Sequence, residues 1–408
     1  MKIISLRNTK DYKSKIDIPD SLRNLFILHF QDVLLTGRNI HYPNCLVKTE
    51  TTLINPYDER VMSLKKDCFY ENNEYESQDY SFSKVKAKPY FFFIYNVDNY
   101  YHFIYDTLPI LYSYFLLKEE IPELTLLLQT SHPSKQNLSP FVKEFLQNLG
   151  VHTYEFAETD TCYSSLYIST SFTHGSQSNE PPSSLCSSVW NRLKSDTSKV
   201  LPKCFYISRR SWIHGKTENI GTNYTTRRRC MNEDAVVELL KKYNIEEIFT
   251  ELLSTEDKIA LFSQAQLVVG IIGGGMCNLL FSPKQTKSLC IATPYFLDIN
   301  ERFKFSMEHT NILYSYSASL YSHEGEYSLF SRVRLKETGK IGEVEEYKDG
   351  LYRITLSSND VAGFSQDFPM ETVWIEENCL EPVDKGLNSP FEISLEQLEE
   401  DLKTLFSR

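Results

Sequence analysis

The chain has 408 residues, 41% hydrophobic and 24% charged, with a formal net charge of −11. That length suggests roughly two or three domains with cores that need no cross-links. The balance excludes a mostly disordered chain, and the acidity argues against a general binder of nucleic acid or anionic membrane.

Leu25–Phe30 and Cys45–Ile54 read as strands, and Asn72–Tyr80 as a polar loop. A strand over Tyr90–Tyr95, an aromatic-rich helix from Asn99 and a strand over Leu124–Gln129 follow. Next come a helix over Pro140–Leu149 and strands near Val151–Phe156 and Ser165–Ser169, an alternation that predicts an open α/β sheet. Pro109 predicts a helix break just after the Asn99 motif. Thr173–Ser184 reads as a linker, and a helix near Ser187–Ser195 leads into a second domain.

There the pattern is clearest. Cys204–Ser208 is a strand, and Val236, Leu239, Leu240 and Tyr243 have helical spacing. A short strand begins at Glu247, and Ser254-Thr-Glu-Asp257 has the form of a capping box opening a helix. Leu267–Gly270 is a buried strand, followed by a glycine turn, a helix from about Met276 and a strand over Ser288–Ala292. Such alternation specifies right-handed crossovers and a parallel sheet. Beyond residue 325, alternating strands flank an Asp349-Gly350 hairpin turn, and this stretch resembles SH3-like barrels. Ser394–Phe406 reads as an amphipathic helix that packs back on the body.

The nine cysteines are scattered, with no Cys-x-x-Cys pair, which suggests buried reduced thiols and a cytoplasmic location. No signal-peptide pattern and no membrane-spanning apolar run is present. The 26 tyrosines and 25 phenylalanines suit sugar-binding clefts, and an AT-rich codon bias explains them equally well.

Two features carry chemistry. Gly270-Ile-Ile-Gly273-Gly274-Gly275-Met-Cys-Asn278 joins a buried strand to a helix, where glycines admit a ligand's phosphates to the backbone. Its spacing is not Gly-x-Gly-x-x-Gly, which disfavours NAD. Arg209, Arg210, Lys216, Arg227, Arg228 and Arg229 form a basic segment in an acidic chain. A bound diphosphate needs its charge stabilised, by a metal on an Asp-x-Asp pair or by basic side chains with a helix dipole. No Asp-x-Asp occurs. The second solution points to Arg209 with Arg228 or Arg229 for the diphosphate, no metal and no cofactor. Glu251 and Ser254 are candidates to read ribose or base, with Ser254 equally suited to capping its helix. In Asn99-Tyr-Tyr-His102-Phe-Ile-Tyr-Asp106, the polar residues share one helix face. His102 and Asp106 are either a buried structural pair or contain the general base, Asp106 slightly favoured.

The order and spacing of Asn99–Pro109, Ile207-Ser-Arg209, Arg228–Glu233, Glu251–Ser254, Val268–Gly275 and Asn278–Phe281 resemble glycosyltransferase family 61. The resemblance implies a GT-B fold of two facing Rossmann-like domains, inversion at the anomeric carbon, a nucleotide-sugar donor and no metal. The donor-side motifs it marks include Gly273, Gly274, Gly275 and Asn278. A UDP-sugar donor and a glycan or glycoconjugate acceptor are the expected substrates, in polysaccharide biosynthesis. The expected division is an acceptor-side domain (1–180), a donor-side domain (181–325), an SH3-like β module (326–385) and a closing helix (386–408). The family usually has His two residues after the strand-ending glycine, and this chain has Ile272. That departure motivates a rival, a catalytically silent carbohydrate- or nucleotide-binding protein; an NAD-dependent oxidoreductase is the second alternative.

Overall fold

The computed structural model describes residues 2–5, 25–36, 39–42, 45–48, 84–93, 99–128, 138–158, 161–173, 181–193, 198–210, 229–292, 302–307, 310–320, 325–329, 331–356, 371–383 and 389–407. The chain divides into two compact units, Met1–Lys194 and Ser195–Arg408. No helix among the described residues is long and apolar enough to cross a membrane.

The first unit is built on a mixed sheet. Its strands are β1 (Lys2–Ser5), β2 (Phe26–Phe30), β3 (Val33–Thr36), β4 (Asn39–Tyr42), β5 (Cys45–Lys48), β6 (Lys84–Phe93), β7 (Thr125–Leu128), β8 (Tyr154–Phe156) and β9 (Thr161–Ser169). β9, β6, β7 and β8 run parallel in that order, while β2 and β3 pair antiparallel with the far edge of β9. A Rossmann-like half is therefore only part of this sheet. The antiparallel strands β1–β5 were not foreseen as a flank, because short apolar runs do not name their partners. Tyr90–Phe93 are fully buried in the middle of the sheet. Lys84, Lys86 and Lys88, on the exposed half of β6, ion-pair with Glu155 and Glu158. The β6–β9 register shifts between Lys86 and Pro89, at a residue with no N–H for the ladder.

The Asn99 motif opens a helical run that Pro109 does not stop. An α turn (Tyr100–His102) passes into a π segment (Phe103–Thr107), a 3₁₀ turn (Leu108–Ile110) and an α-helix (Leu111–Glu120). In the wide turn, the Leu108 N–H reaches back five residues to the Phe103 carbonyl. Proline then sits in a short 3₁₀ turn, where the shifted hydrogen-bond register accommodates its missing N–H.

In the second unit, β10 (Cys204–Ile207), β11 (Glu246–Ile248), β12 (Leu267–Ile271), β13 (Lys287–Ile291) and β14 (Asn311–Ser315) form a parallel sheet in the order β11-β10-β12-β13-β14. Numbered within the sheet, the order is 2-1-3-4-5, with its reversal between β10 and β12. In such sheets ligands bind outside the carboxyl ends of the strands at that reversal. Helices Glu233–Lys241 and Thr255–Ser263 connect β10 to β11 and β11 to β12. After the glycine turn the expected helix forms as a 3₁₀ helix over Gly274–Phe281. Its residues Met276–Phe281 are buried, and Gly270 lies so close that a Cβ there would meet Met276 Sδ at 2.5 Å.

Strands β15 (Ala318–Leu320), β16 (Arg332–Leu335), β17 (Ile341–Lys348), β18 (Leu351–Leu356), β19 (Glu371–Glu376), β20 (Leu380–Pro382) and β21 (Phe391–Ile393) complete the described set. β19-β18-β17-β16-β20 is a separate antiparallel sheet, with its own core around Val344, Tyr352 and Ile354. The turn between β17 and β18 has Asp349 at φ 51° and Gly350 at φ 80°. Two left-handed residues match the twist a two-residue hairpin requires. The last helix, Leu395–Ser407, places Leu398, Leu402 and Leu405 in one core with Val236, Leu240, Val269 and Leu289 of the parallel-sheet layer.

Candidate functional site

In the first unit, the Asn99 motif builds a hydrogen-bonded relay. Asn99 caps the helical run, its side-chain oxygen accepting from the His102 N–H at 3.2 Å. One turn on, His102 Nδ1 lies 2.7 Å from Asp106 Oδ2. The other carboxylate oxygen of Asp106 accepts from the Thr173 hydroxyl at 2.5 Å. The Asp106 side chain is fully buried, whereas 33% of the His102 side chain is exposed. A carboxylate that accepts on both oxygens places the imidazole proton on Nδ1 and the lone pair on Nε2. The wall behind is aromatic, with Tyr105 stacked between Tyr101 and Trp190. The Trp190 indole N–H donates to the Ile104 carbonyl at 3.0 Å, within the π segment that sets the spacing of the pair.

In the second unit, the ends of β11, β10 and β12 converge. Arg209 follows β10, Glu251 lies in a 3₁₀ turn (Thr250–Leu252) after β11, and the glycine turn follows β12. A Cβ on Gly275 would lie 2.8 Å from Ile207 Cγ2 and 3.3 Å from Thr250 Oγ1, so glycine permits this three-way approach. Asn278, fully buried, donates to the Gly275 carbonyl at 2.9 Å and thereby braces the turn. Gly273, in extended conformation, precedes the first N–H groups of the 3₁₀ helix. Ile272 is fully buried and donates its N–H to the Ile291 carbonyl at 2.8 Å, as part of the sheet.

Beneath Arg209 lies a buried carboxylate to which sequence reasoning assigned no role. Glu233 Oε1 accepts from the Tyr206 hydroxyl (2.9 Å), the Ser208 hydroxyl (2.9 Å) and the Arg209 N–H (2.8 Å). Burial pushes its carboxyl up from the ordinary value, with these three donors and the Arg209 charge pulling it back. Burial likewise pushes the Arg209 guanidinium down, opposed by the charges of Glu233 and Glu251. Glu233 opens a helix, where a carboxylate also meets the dipole favourably. The first signal in the sequence was the Asn232-Glu233 pair at that helix start. Thr173 had no local signal, since it stands at the head of a stretch read as linker.

Of the remaining candidates, Arg229 and Arg210 meet carboxylates and Ser254 caps its helix. Arg229 turns to the antiparallel sheet, its guanidinium 2.7 Å from Glu343 Oε1 on β17. Arg210 binds Glu247 through two nitrogens and also pairs with Asp234. Ser254 caps its helix, accepting from the Asp257 N–H at 3.1 Å and donating to the Asp257 carboxylate. Asp257 in turn pairs with Lys199. Lys216, Arg227 and Arg228 lie outside the described residues.

Residues 100–289 match the family model described as Glycosyltransferase 61. That span runs from the first turn of the His102 helix to β13, and so contains both sites. No curated protein matches the chain.

Proposed function

We propose, from the match of residues 100–289 to the Glycosyltransferase 61 model, that the chain is an inverting, metal-independent GT-B enzyme that moves a sugar from a nucleotide-sugar, most naturally a UDP-sugar, to a hydroxyl of a glycan or glycoconjugate. The observation that carries this reading is the partly exposed His102 held by a buried Asp106 within the matched segment. His102 Nε2 takes the proton of the acceptor hydroxyl as its oxygen attacks the anomeric carbon opposite the leaving group. The bond from that carbon to the donor's phosphate oxygen breaks, and the nucleoside diphosphate departs with the electron pair. Arg209 and the first N–H groups after Gly273 stabilise the charge that develops there, which is the task a metal performs in other transferases. Glu251, across from Arg209, reads the ribose. Asp106 orients His102 and stabilises the imidazolium, instead of acting as the base itself.

In this reading the first unit serves the acceptor and the parallel-sheet region serves the donor, in the cytoplasm. The test is incubation of the purified chain with UDP-, GDP-, CMP- and dTDP-sugars and oligosaccharide acceptors, with and without EDTA. Nucleoside diphosphate release is followed, and the anomer of the product is read by NMR. Transfer that persists in EDTA with inverted configuration is expected. Nucleotide binding without any release would make the chain a silent binding protein, the reading that Ile272 motivates.

A further inference from the structure

The antiparallel sheet lies outside the family-matched span, yet it reaches into the donor region through a chain of contacts within the second unit. Arg229 ends the basic segment and ion-pairs with Glu343 of β17, the two side chains 12% and 23% exposed. The next residues are fastened to β21. The Phe391 N–H donates to the Arg229 carbonyl at 2.9 Å, and the Met231 N–H donates to the Phe391 carbonyl at 2.8 Å. The Asn232 side chain then does the work of a strand, accepting from the Ile393 N–H (3.0 Å) and donating to the Ile393 carbonyl (2.8 Å). Glu233 follows immediately and holds Tyr206, Ser208 and Arg209 at the carboxyl end of β10.

Five consecutive residues, 229–233, are thus pinned at one end by Glu343 and at the other by the end of β10. A mostly buried guanidinium needs a carboxylate partner, because removing one member of such a pair strands the other charge. Removing Glu343 takes from Arg229 the stronger of the carboxylate charges acting on it, Glu345 being the weaker, and a shift of the guanidinium pulls on the strand-like contacts leading to Glu233.

We propose that Glu343 is a positioning residue of the donor site: by holding Arg229 it fixes residues 229–233, and through Glu233 the placement of Arg209. This rests on the reading of Arg209 as a diphosphate ligand. It gives the antiparallel sheet a part in donor binding, and it makes Arg229 an anchor and not itself a donor ligand.

The experiment is isothermal titration of the 408-residue chain with UDP and with GDP, using the parent, Glu343→Gln, Glu343→Asp and the exchange R229E/E343R. Each protein is checked for a cooperative thermal transition. In Glu343→Gln the Kd for UDP is expected to rise about tenfold, and the charge exchange should restore it to within about threefold. Glu343→Asp keeps the charge with a shorter reach and gives an intermediate value, which serves if the Gln variant does not fold. The donor KM should follow the same order, with the acceptor KM unmoved. Folded Glu343 variants that bind UDP as tightly as the parent would overturn the proposal. An exchange that folds yet stays as weak as Glu343→Gln would also overturn it, because Arg229 would then be touching the donor. A parent that binds neither UDP nor GDP defeats the donor-site reading itself, a result separable from the other two.

Discussion

Asp106→Asn tests the relay most directly. The substitution keeps the shape of a side chain that is fully buried between His102 and Thr173, and removes its charge. When His102 takes a proton, imidazolium and carboxylate charges stand roughly 4 Å apart, centre to centre, given the 2.7 Å contact. At an effective dielectric of about 20, that pair is worth about 4 kcal/mol, or roughly 10³ in rate. The exposed third of the imidazole screens part of this, so the expected fall in transfer rate is about 10²–10³. The assay is nucleoside diphosphate release at saturating donor and acceptor, with UDP titration and a thermal scan on the same preparations. Thr173→Val removes the hydroxyl that donates to Asp106 Oδ1 and should lose about tenfold. A folded Asp106→Asn protein that binds UDP normally and turns over within about threefold of the parent would remove the pair from the mechanism.

Three further outcomes follow from the second unit. Gly275→Ala forces a methyl group to within 2.8 Å of Ile207 Cγ2, and should destabilise by about 1–3 kcal/mol in denaturant titration while weakening UDP binding. Glu233→Gln keeps the accepting oxygen. Because burial raises the Glu233 pKa, the native state holds that proton more tightly than the unfolded chain does. Its contribution is therefore fully present below the ordinary carboxylate pKa and lost as pH rises through the elevated one. The parent should lose stability relative to Glu233→Gln across that rise, and parallel pH–stability curves would contradict this. Leu402→Ala opens a cavity at a fully buried position under the parallel sheet, and should cost about 2–5 kcal/mol by chemical denaturation.

Much of the second unit was legible because its signals are local. The apolar strand at Leu267, the helical spacing of Val236, Leu239 and Leu240, the Ser254 cap and the Asp349-Gly350 turn each need only neighbouring residues to specify them. The same holds for the His102–Asp106 pair, one turn apart on a helix. What escaped depends on distance or on context. Pro109 reads as a stop, and only the π turn before it, braced by Trp190 from 86 residues away, lets the helix continue. The antiparallel flank β1–β5 depends on β9, more than a hundred residues onward. Thr173 joins the relay across 67 residues.

Charge shows the same limit most sharply. Counted along the chain, Arg209, Arg210 and Arg229 make a positive patch fit for a diphosphate. In the fold, Glu247 and Asp234 take Arg210, and Glu343 takes Arg229 from 114 residues away. Arg209 is different because its neighbouring carboxylate is occupied. All three donors to Glu233, one of them the Arg209 backbone, converge on a single oxygen. A carboxylate so engaged, and made harder to ionise by burial, holds the Arg209 backbone at the end of β10, while its charge and that of Glu251 oppose the desolvation of the guanidinium. Arg209 is therefore distinguished from Arg210 and Arg229 by a carboxylate that accepts from its own backbone N–H and from two hydroxyls beside it. That distinction lies in which atoms are bonded, and no count of charges along a sequence contains it.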